Sequence, residues 1–340
     1  MSGDKRFSGV ERRVLVGLLV GLPVSAAFLW LAVRNADLDA VRRTLADADA
    51  RFVILAVATF ACMYAFQAVR WRRVARSPQV GFPRFYEMVL SGLACNNVLP
   101  ARLGDLLRAR WLGLEARMPA GRGFGTVVLD RGCDVAALFI FLLAGLGAVA
   151  SPKWLVAIAV VSGATLLGLI MAVFLARRYT SRRQRERRSR GLVRVLLRDA
   201  AEALAEPIGR SRPAGWIALS VGAWTMWAVA AMLVARSLDV ELGLVDAIFV
   251  AAVLNLGVAI PSSPGFVGTY EWLGVASLGL LGLASEDALA FTVLLHATWY
   301  IPTTLAGGSA LGVRAVVRLR RSRRRGQPVA LRDPATDERA

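Results

Sequence analysis

Six stretches of this chain are apolar over about the length that crosses a lipid bilayer: 14–33, 52–69, 123–150, 153–176, 213–235 and 288–313. A helix needs roughly 20 such residues to cover the hydrocarbon core. Backbone polar groups cannot go unpaired in lipid, so spans are helices or closed barrels, and the weak alternation of barrel strands is absent here. The chain therefore reads as an all-α integral membrane protein. Its 56% hydrophobic content and mean hydropathy of +0.53 agree with that reading and argue against a soluble fold. The first stretch is long, lacks a small-residue cleavage site and precedes further spans, so it is expected to be a retained helix.

A net charge of +18 invites a nucleic-acid reading, but the charge is placed otherwise. Eight arginines lie in 177–190, seven in 314–325 and four in "RWRRVAR" (70–76), while Lys5, Arg6, Arg12 and Arg13 precede the first stretch. Each cluster abuts a helix end, which is the pattern of positive-inside topology signals, and each would attract anionic headgroups. Trp71 and Tyr179 are the aromatics in the three arginine runs, which is not interleaving of the sort that stacks bases, so nucleic acid is not an expected partner. Both termini are then cytoplasmic, in a cell membrane. The acidic segment 237–246 ("SLDVELGLVD") lies outside. The expected layout is a basic N-terminus (1–13) and one transmembrane domain (14–313), with halves 14–176 and 213–313 around a basic linker (177–212). A basic, disordered tail follows (314–340). Within the linker, 191–206 has apolar residues at helical spacing, as in an elbow lying in the headgroup plane.

Two stretches break the apolar pattern. "NNVLPARLGDLLRARWLG" (96–113) and "AIPSSPGFVGTYEWLG" (259–274) each follow a half-length apolar segment. One spacing separates Pro100 from Pro261, Gly104 from Gly265, and the two Trp-Leu-Gly triplets from each other. Helices end before proline and glycine permits tight reversals, so Pro100, Gly104, Pro261, Pro264 and Gly265 are read as structural breaks. The first hairpin is flanked by cytoplasmic arginines, and the second by the outer acidic segment and "SED" (285–287). The fold expected is a polytopic helical bundle with two re-entrant hairpins related as an inverted-topology repeat. In transporters such repeats place substrate sites at broken helices, whose free N–H groups suit anions.

The stretches "NNVLPARLGDLLRARWL", "LDRGCD" (129–134) and "PSSPGFVGTYE" (261–271) resemble the flippase-like domain of lysylphosphatidylglycerol synthases and its stand-alone relatives, over roughly residues 10 to 318. The resemblance implies two re-entrant segments and movement of a phospholipid between leaflets, or service to lipid-linked glycosylation. It carries over to Asn96, Pro100, Arg102, Gly104, Asp105, Arg131, Asp134, Pro261, Ser263, Pro264, Gly265 and Glu271. The sequence departs from the family pattern at Asp105, where Glu is expected, at Phe266, where a second Gly is expected, and at His296, where Arg is expected. The aminoacyl-transferring part of the bifunctional synthases is a large soluble domain, which is not expected in the short tail after 313.

Catalytic chemistry is not expected, nor are cofactors or metals. One histidine excludes HExxH and His-rich clusters, and Cys62, Cys95 and Cys133 lack CxxC spacing. There is no P-loop and no GxSxG, and "GRGFG" (121–125) follows no strand. The intramembrane polar residues remain as substrate-binding candidates: Asn96, Arg102, Asp105, Arg108, Arg131, Asp134, Asn255, Ser263, Glu271, His296 and Tyr300. A charge so placed costs about 3 kcal/mol or more unless paired or hydrated. Arg131 and Asp134, at i and i+3, either lock a helix or serve a substrate. Arg102, Asp105 and Arg108 either cradle a phosphate or satisfy one another. Glu271 has no base near it in sequence, which favours a cavity role, and His296 with Tyr300 reads as helix packing. Asn255 reads as bonding free backbone at the break. Arg102, Arg108 and Arg131 would hold phosphate, while Asp105, Asp134 and Glu271 would meet a cationic headgroup or carry protons. The leading expectation is binding or translocation of a phospholipid or lipid-linked headgroup. Two others stay open: a scaffold for a partner lipid- or glycan-modifying enzyme, and a membrane-embedded transferase using a lipid-phosphate donor.

Overall fold

A computed structural model describes residues 22–99, 102–147, 152–182, 213–258 and 263–324. Among these, every regular element is helical: α1 (Leu22–Val33), α2 (Leu38–Ala46), α3 (Ala50–Ala75), α4 (Phe82–Val98), α5 (Leu103–Ala116), α6 (Ala120–Leu146), α7 (Lys153–Arg182), α8 (Pro213–Ser237), α9 (Leu244–Gly257), α10 (Thr269–Leu280) and α11 (Ser285–Arg324). A short 3₁₀ turn, Pro264–Phe266, precedes α10. Four helices are long and apolar enough to cross a membrane: Ala50–Ala75, Lys153–Ala176, Pro213–Ser237 and Ser285–Val317. Helix α6 is long enough too, at about 40 Å for 27 residues, but its charged residues set it apart from the apolar spans. Helices α7 and α11 run on into the basic segments, to Arg182 and Arg324. Residues 191–206 lie outside the described residues, as do Pro100 and Pro261.

Local chemistry sets several helix ends. Asp37 caps α2 by accepting from the Asp39 and Ala40 N–H groups, and Asp49 caps α3 by accepting from Arg51. Gly81 and Pro83 open α4, where proline's missing N–H is harmless. Arg76 and Arg117 close α3 and α5 in left-handed conformations.

The core forms where α3 packs along α8, α4 along α11, and α6 along α9. Helices α4 and α5 pack on each other, as do α9 and α10, so each broken stretch is a helix–break–helix pair. At 17, 14, 14 and 12 residues these helices span about 18 to 25 Å, short of the roughly 30 Å hydrocarbon core.

Gly104, expected to be a break, is not one. It lies inside α5 at the close approach to α4, where a Cβ would stand 2.0 Å from the Gly92 carbonyl oxygen and 2.6 Å from Asn96 Oδ1. Among the described residues of the first break, the left-handed one is Arg102 (φ 53°). In the second break it is Gly265 (φ 74°), followed by Phe266 and Gly268. The two breaks share spacing but turn at different points. A Cβ on Gly265 would also meet the Tyr300 ring at 2.7 Å.

Candidate functional site

Helix α6 sets the site. Asp130 and Asp134, one turn apart, face α3, and both hold Arg70. Arg70 Nε donates to Asp130 at 2.8 Å. Its Nη1 donates to Asp134 at 2.6 Å and to the Ser220 hydroxyl at 2.7 Å, and its Nη2 to Asp134 at 3.1 Å. The Trp224 indole N–H donates to Asp134 at 2.9 Å. Arg108 of α5 reaches the other oxygen of Asp130 at 3.1 Å and stacks 4.2 Å above Trp71, whose own N–H donates to Thr126. Arg131 donates to Asp105 at 2.8 and 3.3 Å and to Asp134 at 3.3 Å, and Asp105 lies 3.5 Å from Arg108. Three arginines and three aspartates thus form one network joining α3, α5 and α6. Arg70, Arg108 and Asp130 are fully buried.

The expected Arg131–Asp134 pair is therefore one edge of a larger network, and the chief partner of Asp134 is Arg70. Arg70 was grouped on the sequence with the topology arginines. Only its neighbours fit that description, since Arg72 and Arg73 are exposed.

Beside the network lies a cavity of about 230 Å³. Asn96, Arg102, Asp105, Arg131, Asp134 and Asn255 line it, together with Trp224, Trp227 and Trp299. Arg131 is 31% exposed, the most open member of the network. Arg102 donates through Nη2 to the Val258 carbonyl at 2.8 Å and lies 5.4 Å over the Phe266 ring. Among the described residues it forms no ion pair with a carboxylate. Asn96 holds a buried Oδ1 that has no hydrogen-bond partner among the described residues.

The other candidates stand elsewhere. Arg108 is enclosed by Asp130 and Trp71 and does not line the cavity. Glu271 is a cap: one oxygen accepts from the Gly268 N–H at 2.5 Å, as in a capping box, and the other pairs with His296 Nδ1 at 2.6 Å. Its distance in sequence from any base concealed this partner. His296 is packed between the rings of Tyr270 and Trp299. Ser263 fixes the loop to α1 through its N–H, which donates to Ser25 at 2.8 Å. Tyr300 donates to the Asn97 carbonyl at 3.3 Å, and Asn97 donates to Thr303 and Thr304. Asn255 lines the cavity but donates within its own helix, to the Ala251 carbonyl at 2.9 Å, not to the break.

Long apolar helices around a buried ion network define a multi-pass helical membrane protein. The chain belongs to the lysylphosphatidylglycerol synthase TM region family, whose model matches residues 14–307. It is similar to a UPF0104 membrane protein of Methanothermobacter thermautotrophicus, 26% identical over 332 residues that cover 88% of this chain and 93% of that one. It is also similar to Glycosyltransferase AglD of Haloferax volcanii, 25% identical over 348 residues covering 89% of this chain and 55% of AglD. The chain thus spans about half of AglD. The UPF0104 membrane protein MJ1595 of Methanocaldococcus jannaschii is 28% identical over 130 residues, 37% of this chain and 39% of that protein.

Proposed function

We propose that this protein binds a lipid with an anionic headgroup in the cavity beside Arg102 and Arg131, and carries that headgroup across the bilayer. One observation supports this most. Among the described residues, the carboxylates Asp105, Asp130 and Asp134 are matched by Arg70, Arg108 and Arg131, which leaves Arg102 as the cation at the cavity without a carboxylate ion pair. A phosphate between Arg102 and Arg131 would make charge-assisted hydrogen bonds without stranding another group. The aspartates, all engaged, are poorly placed to receive a cationic headgroup.

In this reading the α4–α5 and α9–α10 pairs are re-entrant hairpins entering from opposite faces, with both termini cytoplasmic. The half-length helices and the contact of the two breaks through Arg102 support it, as does the placement of basic and acidic segments. Broken backbone at membrane depth must be buried or line a wet cavity, and Arg102, Val258 and Phe266 beside the two breaks line the polar cavity. A role beside a glycan-modifying enzyme is the second reading, and its support is the name of the relative Glycosyltransferase AglD.

The test is binding to the purified protein in nanodiscs of phosphatidylcholine, with phosphatidylglycerol as the anionic probe. Arg102→Gln removes a charge-assisted contact worth about 1.5–3 kcal/mol, so affinity falls about tenfold or more while the fold persists. Equal binding of the two lipids, or an Arg102→Gln variant that binds as well as wild type, would remove the proposal.

A further inference from the structure

A second concavity of about 440 Å³ adjoins the polar cavity. The two share Val135 of α6 and Leu256 of α9, so one wall serves both. The far side of this groove is a single face of α7, whose lining residues recur every three or four positions from Trp154 to Thr165, about 16 Å of helix. Phe28 of α1 and Trp272 of α10 complete it, with ring centroids 4.9 Å apart, and Trp154 lies 5.6 Å from Trp272.

The lining is apolar in effect as well as in composition. Its two hydroxyls are engaged inside α7: Ser162 donates to Ile158 at 2.6 Å, and Thr165 to Val161 at 2.7 Å. No side chain lining the groove is charged. Elsewhere α7 exposes Leu167, Ile170, Met171 and Phe174, as a helix facing lipid does. An apolar concavity open to hydrocarbon does not hold water, which needs polar partners. A partner helix is too wide, since at about 10–12 Å across, 16 Å of it fills well over 1,000 Å³. At roughly 30 Å³ for a water-sized group, the groove takes about fifteen chain carbons.

We propose that the groove between α7 and α9 holds one acyl chain of the same lipid whose headgroup occupies the polar cavity, Val135 and Leu256 marking where headgroup and chain meet. This rests on the anionic-headgroup reading above, and it makes the protein recognise both ends of its lipid.

The probe is phosphatidylglycerol with a diazirine midway along one acyl chain, in phosphatidylcholine nanodiscs, compared with the same chain on phosphatidylcholine. Crosslinks from the phosphatidylglycerol probe are expected within 154–165 and at Trp272, well above those from the phosphatidylcholine probe. Ala157→Phe with Thr165→Phe fills the groove from exposed positions away from the polar cavity. This variant is expected to lower phosphatidylglycerol binding about tenfold, or about 1.4 kcal/mol. Arg102→Gln is expected to reduce groove labelling to the phosphatidylcholine level. Equal labelling by both probes, or a filled groove that leaves binding unchanged, would overturn the inference. If Arg102→Gln still weakens binding about tenfold in that case, the headgroup reading survives alone. If Arg102→Gln changes neither binding nor labelling, both readings fall together.

Discussion

Arg102 Nη2 donates to the backbone carbonyl of Val258 at 2.8 Å, which joins the break after α4 to the break after α9. A helix end leaves its last carbonyls without partners in the helix, and lipid supplies none. Val258 caps α9, and its carbonyl is met from the other half of the chain. The reciprocal contact exists: the Asn97 carbonyl, at the end of α4, accepts from the Tyr300 hydroxyl of α11. Each break is thus completed by a side chain from the opposite half.

Tyr300→Phe should isolate this effect. The ring that faces Gly265 stays, while the hydroxyl that serves Asn97 is lost. A buried carbonyl left unpaired costs about 1–3 kcal/mol. Thermal unfolding in detergent should show that loss, and an unchanged midpoint would mean the contact contributes nothing.

Arg70→Leu should be far more damaging than its place in a basic run suggests. It removes the chief partner of Asp134 and one of the two arginines on Asp130, leaving three aspartates to two arginines in a buried site, a loss of about 3–5 kcal/mol. Arg70→Lys should not restore stability, because an ammonium cannot span two carboxylates and Ser220 in the fork geometry of a guanidinium. The exposed Arg73→Leu is the control, expected to change stability little. Equal stability of the Arg70 and Arg73 variants in a melting assay would refute the network.

Gly104→Ala and Gly308→Ala separate close packing from helix propensity. Alanine is the better helix former by up to about 1 kcal/mol, so an open site should gain or hold stability. Gly308 has nothing within 4 Å of its missing Cβ, whereas at Gly104 the Gly92 carbonyl oxygen stands 2.0 Å away. Expression and melting should therefore fall for Gly104→Ala alone, and a Gly104→Ala protein of wild-type stability would contradict the close approach.

The sequence made the helical architecture and the broken stretches plain, because apolar length and proline are local signals. It concealed what depends on contacts between distant segments. Arg70 looked like a topology arginine, yet it falls on the stripe Ala56, Phe60, Met63, Gln67, Val74, which alternates steps of four and three and is buried throughout. That spacing, followed one turn further into the basic run, was the available signal. Glu271 seemed unpaired because its partner, His296, comes from another helix, while its capping role lay in its position three residues after Gly268. Gly104 was read as a reversal because loop glycines and packing glycines look alike in one dimension.

Cysteine scanning tests the proposed orientation. In a variant lacking Cys62, Cys95 and Cys133, cysteines placed at Val240 or Glu286 should react with an impermeant reagent added to intact cells. Those at Gln184 or Ser322 should react only after lysis. Labelling at 184 from outside would reverse the arrangement of the two hairpins.

Leaflet exchange is the most direct measurement of the central claim. Proteoliposomes carrying tail-labelled phosphatidylglycerol should exchange it between leaflets faster with wild-type protein than without protein. Arg102→Gln should return the rate to that of protein-free liposomes, while Arg102→Lys, which keeps the charge, retains part of it. An Arg102→Gln protein that reconstitutes equally and exchanges the lipid at the wild-type rate would contradict the account.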